Sequence, residues 1–445
     1  GALLWSLSVV AALWSSGGWR RLAARLPLLL AVPHVAFATA ALLLFAESGW
    51  LSRLFPLFSP PIDRYGIGLG LTMAMKESAF LLWVVYGLLG EKRLAEQATV
   101  LKSLGYGRWQ CLTWLVLPTL FPALSVVLLA TAAWSLSAVD VALVIGPGNP
   151  PTLAVLAWQW LSQGDERQQA KGALASLILL LALAMMALAA WGVWRLWQRR
   201  IPPVEGIRRP QPRALAGKSF ALLLPLCGVA CALLLAAAAQ NSQPVQDSVG
   251  NSLWLGLCSA AIGAVICLLW LALGPSRFGE WIWLPLILPA LPLVDGQYQL
   301  ALYTWLDGER LTVLWGHLLW VVPWMLFILR PAWRARDPRA ELVARTLGWQ
   351  RGRIFWLVTL PALTRPLLTA LAVGFSVSIA QYLPTLWLGG GRVATLTSEA
   401  VALSSGGDTS TLAAQALWQL LLPALFFAAT ALLAWLIGHY RQGLR

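Results

Sequence analysis

One stretch of the sequence occurs twice, each time where a charged loop enters an apolar run. The first copy reads Ser103-Leu-Gly-Tyr-Gly-Arg-Trp-Gln-Cys-Leu-Thr-Trp-Leu-Val-Leu-Pro-Thr-Leu120, and the second reads Thr346-Leu-Gly-Trp-Gln-Arg-Gly-Arg-Ile-Phe-Trp-Leu-Val-Thr-Leu-Pro-Ala-Leu363. Gly105 stands 13 residues before Pro118, and Gly348 stands 13 residues before Pro361. Equal internal spacing, repeated 243 residues later, predicts two copies of one structural device.

The composition around these copies is that of a membrane protein. The chain is 59% hydrophobic and 11% charged with a mean hydropathy of +0.71, which excludes an ordinary soluble domain. A hydrocarbon core about 30 Å thick requires roughly 20 apolar residues in a helix. Eleven stretches come near that length: 1–17, 26–46, 66–90, 111–135, 172–195, 219–240, 251–274, 281–304, 312–333, 354–388 and 413–438. Because lipid offers no partner for a free backbone amide, we predict an all-α polytopic membrane protein of about eleven helices, with 354–388 bending or ending near Pro384.

Basic residues fix the expected orientation. If the loops 18–25, 91–110, 196–218, 275–280 and 334–353 share one side with the C-terminus, that side holds 24 of the 32 Lys and Arg residues once Arg195 and Arg330 at the flanking helix ends are included. The positive-inside rule makes this side cytoplasmic, including the C-terminus. The same split explains the net charge of +14 without a nucleic-acid partner.

The two halves of the chain resemble each other beyond the loops. Ser135-Leu-Ser137 is echoed by Ser376-Val-Ser378, and the stretch 146–153 by 389–396. We predict a first repeat at 1–195, a cytoplasmic linker at 196–218 and a second repeat at 219–445. Both loops fall on the cytoplasmic side, so the repeats are expected to be parallel. The first half has five apolar stretches against six and starts with Gly1, so we expect an N-terminal helix to be missing from the first repeat.

Each repeated loop is expected to begin with a short surface helix. Residues 94–104 and 340–347 are good helix formers that end at Gly105 and Gly348, a common helix stop. Apolar residues share one face in each, namely Leu94, Ala98 and Leu101 in the first copy and Leu342, Thr346 and the adjacent Leu347 in the second. Such a face predicts a helix laid into a partner's groove. The alternative is packing on lipid headgroups or on the chain's own bundle.

These residues resemble the permease subunits of binding-protein-dependent ABC importers, with two permease halves fused in one chain as in the thiamine, ferric-iron and YnjC-like systems. That family carries Glu-Ala-Ala-x-x-x-Gly, nine further residues and then Ile-x-Leu-Pro in a cytoplasmic loop. Gly105, Leu117 and Pro118 match it in the first copy, and Gly348, Leu360 and Pro361 match it in the second. The opening departs from the family, because 99–101 reads Thr-Val-Leu and 342–344 reads Leu-Val-Ala.

The resemblance implies a transport subunit rather than an enzyme, in the bacterial inner membrane. Two copies of a separate ATPase would each receive one coupling loop, and a periplasmic binding protein would deliver substrate. This chain has no Gly-x-x-x-x-Gly-Lys-Ser/Thr phosphate loop, so no cofactor is expected on it, and ATP and Mg are expected on the ATPase. The residues assigned to coupling are Leu94, Glu96, Ala98, Leu101, Gly105, Pro118, Glu341, Leu342, Ala344, Leu347, Gly348 and Pro361.

Polar residues at membrane depth are the candidates for a substrate pathway, because they are costly there. They are Ser137, Asp140, Ser378, Gln381, Glu77 and Asp295. Asp140 is equally well explained by a capped helix end. Lys76 and Glu77 are adjacent and point to different sides of one helix, so a structural ion pair of one of them, with Arg365, Asp140 or a backbone carbonyl as the partner, is favoured over a substrate site. Asp295 follows the prolines of 281–304 and indicates a broken helix near a cavity.

Two other function classes fit less well. A secondary transporter driven by an ion gradient would require a dense chain of intramembrane carboxylates, and Glu77, Asp140 and Asp295 are not closely spaced. A membrane enzyme would require clustered His, Cys or carboxylates, and the sequence shows no such cluster and no metal-ligand set.

Overall fold

The fold was taken from a computed structural model of the chain. It describes residues 2–13, 18–19, 21–22, 25–26, 32–46, 49–55, 63–91, 94–200, 215–240, 242–274 and 279–440. Every regular element in these ranges is helical, which confirms the all-α fold class.

The helices up to the end of the predicted linker are α1 Ala2–Leu13, α2 His34–Phe45, α3 Trp50–Leu54, α4 Ile67–Glu91, α5 Leu94–Ser103, α6 Arg108–Cys111, α7 Leu117–Ser137, α8 Val139–Ile145, α9 Leu153–Leu161 and α10 Glu166–Arg200. The later helices are α11 Leu215–Ala238, α12 Gln246–Leu273, α13 Leu284–Ile287, α14 Ala290–Tyr303, α15 Arg310–Arg334, α16 Pro338–Thr346, α17 Arg351–Ile354, α18 Leu360–Ala362, α19 Thr364–Ile379, α20 Leu383–Leu388, α21 Leu396–Ser404 and α22 Thr409–Tyr440. Two π-helical turns, π1 Leu112–Val116 and π2 Phe355–Thr359, and a 3-10 turn at Gly279–Trp283 complete the described elements.

Eight helical segments in the described ranges are long and apolar enough to cross a membrane. They are His34–Leu54, Ile67–Leu89, Trp109–Ser137, Glu166–Arg199, Gly217–Ala238, Gln246–Leu273, Arg310–Arg334 and Thr409–His439. The segments Arg351–Ala362 and Thr364–Ile379, which meet at an angle of 75°, make a ninth if they count as one bent span. This confirms a polytopic membrane protein.

Two of the eleven expected stretches are not among these segments. The described part of 1–17 is the 12-residue helix α1, and 281–304 is divided between the 3-10 turn, α13 and α14. The stretch 354–388 does end before Pro384, because its helix stops at Ile379. The bend at Leu363 was not expected.

The chain divides into two compact units, and the first contains 1–240 together with 287–293 and 404–409. In this unit α11 packs against α1 and α2, with the rings of Trp5 and Phe220 stacked at 5.4 Å. Gly217 permits this approach, because a Cβ there would lie 2.8 Å from the Cβ of Ala12. The first helix of the predicted second repeat therefore packs with helices of the first.

The second unit contains 241–286, 294–403 and 410–445, and its centre is the packing of α12, α15 and α19. Met325 of α15 is fully buried between two glycines. A Cβ on Gly263 would lie 2.8 Å from the Met325 sulfur, and one on Gly374 would lie 2.6 Å from it. Small residues thus let three helices approach closely, which is the usual packing solution in membranes.

Candidate functional site

Both repeated loops begin with a short helix that ends at a glycine in the left-handed region. Gly105 after α5 has φ 90°, and Gly348 after α16 has φ 77°. In each copy the glycine N–H and the next N–H donate back into the last turn: Gly105 to Lys102 at 2.9 Å and Tyr106 to Leu101 at 3.1 Å, and Gly348 to Arg345 at 2.9 Å and Trp349 to Ala344 at 3.1 Å. This is the Schellman ending, in which glycine adopts the positive φ without steric penalty. The structure thus confirms the two short helices and their glycine stops.

The following membrane helices repeat a second backbone feature. Each opens with four α-helical residues, α6 or α17, and then forms a five-residue π turn, π1 or π2. Pro118 and Pro361 lie two residues beyond these turns. A proline donates no N–H and its ring crowds the carbonyl four residues earlier, which here lies inside the π turn. The wider turn accommodates that carbonyl, so the repeated Leu-Pro pair accounts for the π geometry.

The apolar face of the first short helix was expected to dock on a partner, but two of its residues are buried within the chain. Leu94 and Ala98 are both 0% exposed, and Leu101 is half-buried. The side chains of Leu94 and Ala98 are already covered by the chain itself, so they are not available to a partner's groove. Ala344 on α16 is likewise buried. The alternative of packing on the chain's own bundle holds for these residues.

The outward face carries exposed apolar residues at matching positions in the two copies. Val100 is 60% exposed and its equivalent Val343 is 57% exposed. Leu104 and Leu347, also equivalent, are 59% and 68% exposed. Leu342 is exposed as well, as the sequence predicted. Val100 and Val343 were not predicted as a pair, although each lies five residues before its loop glycine, which was a usable signal.

Glu341 is engaged inside the chain. Its carboxylate accepts hydrogen bonds from Arg336 and, at 3.0 Å, from the hydroxyl of Thr359 in π2. The Arg336 guanidinium also lies 3.7 Å from the centre of the Trp333 ring. Glu341 therefore ties α16 to its membrane helix, whereas Glu96 on α5 is exposed. The partners of Glu341 could not be read from the sequence, because Thr359 is 18 residues away and belongs to another element.

In the first unit, the structure brings Glu77 to His34, which the sequence analysis had not paired. The Nε2 of His34 lies 2.9 Å from a carboxylate oxygen of Glu77. Asp140 is buried in the first turn of α8, whose N-cap residue Ala138 makes no side-chain capping bond. The Ser137 hydroxyl donates to the carbonyl of Ala133 at 2.7 Å and accepts the N–H of Ala290 at 3.2 Å.

In the second unit, Ser378 and Gln381 belong to one buried network around His317. Nδ1 of His317 lies 2.8 Å from the Ser378 hydroxyl, and Nε2 lies 2.9 Å from the Thr385 hydroxyl. The Gln381 amide donates to the His317 carbonyl at 3.1 Å. Gln381 lies in the break between α19 and α20, so these bonds connect the unwound backbone to α15.

Asp295 is half-buried on α14 and does not mark the break that the sequence analysis assigned to it. The break lies earlier, at residues 288–289 between α13 and α14, where Pro289 cannot continue the helix. Asp295, Gln297 and Tyr298 themselves lie within continuous helix. Among the residues that the structure describes, no group of three or more His, Cys, Asp or Glu could hold a metal ion.

Two comparisons with known proteins agree with this architecture. The family described as "Binding-protein-dependent transport system inner membrane component" matches residues 219–442, half of the chain. The inner membrane ABC transporter permease protein YnjC of Escherichia coli (strain K12) is 60% identical over 445 residues, which cover 100% of this chain and 87% of that protein. The chain therefore belongs to the family of inner membrane components of binding-protein-dependent transport systems, the ABC transporter permeases, and is a multi-pass inner membrane protein.

Proposed function

We propose that this chain forms the membrane pathway of an ATP-driven importer and is driven by two copies of a separate ATPase. Each ATPase copy receives one of the two short helices, α5 or α16. A periplasmic binding protein delivers the substrate on the opposite side. The two loops and the C-terminus are cytoplasmic, in keeping with the positive-inside distribution.

The observation that carries this proposal is the pair of exposed valines at equivalent positions. Val100 and Val343 are more than half exposed on short loop helices that also carry buried residues, Leu94 and Ala98 in α5 and Ala344 in α16. Neither helix lies in a segment long enough to cross the membrane. An exposed apolar residue at the equivalent position of both copies is what a partner groove would bind if each copy of the partner received one short helix.

The loops can transmit force because they are stiff at both ends. The Schellman turn fixes the end of each short helix, and only two residues separate Gly105 from α6 or Gly348 from α17. When ATP closes the ATPase dimer, the grooves move and carry the short helices with them. The ATPase thereby biases the membrane helices between inward-facing and outward-facing states by its differential contacts with the two.

We further propose that Asp140 and Gln381, with Ser137 and Ser378, lie along the substrate pathway. Their burial in a membrane-embedded chain supports this, since polar groups there are usually functional. Glu77 and Asp295 belong to the same proposal with less support, because Glu77 is bonded to His34. An ion-gradient mechanism has no specific observation in its favour.

The first step of the test is to find an ATPase that carries a phosphate loop and co-purifies with the chain. That ATPase is then purified separately, and its binding to the chain in nanodiscs is measured. Val100→Asp combined with Val343→Asp should weaken ATPase binding at least about tenfold, because burying one Val is worth about one tenfold step in affinity. The matched control, Val100→Ile with Val343→Ile, keeps the surface apolar and should bind like the wild type.

Two results would contradict the proposal. One is that no phosphate-loop ATPase binds the wild-type chain. The other is that the two aspartates leave both ATPase binding and permease-stimulated ATP hydrolysis unchanged while the protein unfolds at its normal temperature.

A further inference from the structure

The two short helices differ in charge along one flank, although their backbones match. Positions three residues apart on α5 read Glu96, Thr99 and Lys102. The equivalent positions on α16 read Arg339, Leu342 and Arg345. The flank of α5 therefore has no net charge, whereas the flank of α16 carries two positive charges and an exposed leucine between them.

The arginines on α16 are available to a partner. Arg339 and Arg345 are exposed, and neither forms an ion pair with the other described residues. The nearby carboxylate of Glu341 is already occupied by Arg336. The two arginines line an open cleft of about 310 Å³ together with Pro338, Glu341 and Leu342. Neither guanidinium is therefore paired with a carboxylate within the described part of the chain.

We propose that α16 docks against an acidic rim of the ATPase groove, and that α5 docks through its apolar residues alone. This inference rests on the proposed coupling function and identifies the chemistry of its partner surface. The acidic side chains of the ATPase would lie beside Arg339 and Arg345 and extend into the cleft at Leu342. The centre of the groove would meet Val343, as it meets Val100 in the other copy.

The asymmetry follows from using one ATPase twice. Two identical grooves must accept both helices, so the shared contact has to be what the helices have in common, which is the Val100/Val343 and Leu104/Leu347 pairs. The acidic side chains at the rim of each groove can add contacts to α16 alone. Charged rim contacts chiefly affect the association rate and its salt dependence, whereas apolar contacts are much less sensitive to salt. The two docking events should therefore respond differently to ionic strength.

A reciprocal exchange of one position tests this. Arg339→Glu gives α16 the residue that α5 has, and Glu96→Arg gives α5 the residue that α16 has. Binding is measured with the purified ATPase and the chain in nanodiscs at 50 mM KCl, where charges are only weakly screened. Under these conditions Arg339→Glu should weaken binding about fivefold and flatten the salt dependence. Glu96→Arg should strengthen binding and steepen the salt dependence. Both variants should bind alike at 500 mM KCl, where charges are screened.

The outcomes separate this inference from the coupling proposal. If the valine-to-aspartate pair abolishes binding while Arg339→Glu and Glu96→Arg leave affinity and salt dependence unchanged, coupling stands and the acidic rim is wrong. If Arg339→Glu strengthens binding, the rim is basic and the inference is overturned. If the valine pair has no effect, the coupling proposal itself fails. Because both exchanged positions are exposed, thermal unfolding should be unaffected, which controls for misfolding.

Discussion

The two repeated loops share a backbone and differ in the side chains that attach each short helix to its membrane helix. In the first loop, buried Ala98 and Val116 occupy the positions at which the second loop has Glu341 and Thr359. An apolar contact region in one copy thus corresponds to a hydrogen-bonded one in the other. The glycine ending and the π turn are unchanged between them.

A second exchange lies at the start of the membrane helix. In the first loop, the side-chain oxygen of Gln110 accepts the backbone N–H of Gly107 at 2.9 Å. In the second loop the equivalent residue is Arg353, whose guanidinium lies 4.6 Å from the centre of the Trp349 ring. The glycine and proline positions constrain the backbone, whereas the side-chain contacts around it differ between the two copies. This explains why the spacing is repeated more faithfully than the residues.

The copies also diverge after the prolines. α7 runs without interruption from Leu117 to Ser137, whereas the second copy bends by 75° between α18 and α19. The alignment shifts here too, since Gly105 and Gly348 are 243 residues apart but Ser137 and Ser378 are 241 apart. The second copy has two fewer residues between the glycine and the matching serine, and its membrane helix is bent where that of the first copy is continuous.

The largest expected difference between the loops lies at the start of each short helix, where Leu94 of the first copy corresponds to Asp337 of the second. Leu94 is fully buried, so Leu94→Ala should leave a cavity and lower the free energy of unfolding by about 2–5 kcal/mol. Asp337 caps α16 by accepting the N–H of Arg339 at 2.9 Å, so Asp337→Ala should cost only about 1 kcal/mol. Equilibrium denaturation in detergent measures both. Equal losses would show that α5 is not held by its buried face.

An intermediate effect is expected at Glu341. Glu341→Ala removes hydrogen bonds to Arg336 and Thr359 and should lower the free energy of unfolding by about 1.5–3 kcal/mol, the range for bonds to a charged group. Glu96→Ala is the matched control on α5, because that residue is exposed, and should change stability by less than about 0.5 kcal/mol. The same denaturation measurement applies. A similar response from both variants would remove the internal role assigned to Glu341.

Much of the helical architecture of the two loops could be predicted from the sequence. The helical fold, the two short helices and their glycine stops follow from apolar run lengths and from residues with strong local preferences. These signals are local, so they need no knowledge of what packs against them. The Schellman hydrogen bonds at Gly105 and Gly348 are of this kind, since they involve only the last turn of the same helix.

The parts that could not be predicted depend on distant partners. α5 has apolar residues on two faces, Leu94 and Ala98 on one and Val100 and Leu104 on the other. A periodic pattern cannot tell which face meets the chain's own bundle. The pairing of His34 with Glu77 is similar, because the two residues are 43 apart and lie on different helices. The partners of His34 and His317 lie 43 to 68 residues away in the sequence and are brought to them only by packing.

The smallest difference between the two loops is expected where they are alike. Gly105→Ala and Gly348→Ala should each lower the free energy of unfolding by about 1–2 kcal/mol, because an L-residue is strained at positive φ. At Gly348 an added Cβ would meet no atom within 4 Å, so the loss there comes from the backbone alone. Asn at either position should cost less than Ala, since Asn tolerates the left-handed region better. Gly70→Ala is the control of opposite sign: Gly70 lies in the interior of α4 with open space around it, and Ala there should be neutral or stabilising. Near-equal losses of unfolding free energy at the two loop glycines, together with unequal losses at Leu94 and Asp337, would show that the feature shared by the two loops is the backbone turn. Losses that differ by more than about 1 kcal/mol would instead mean that each turn depends on its own side-chain surroundings.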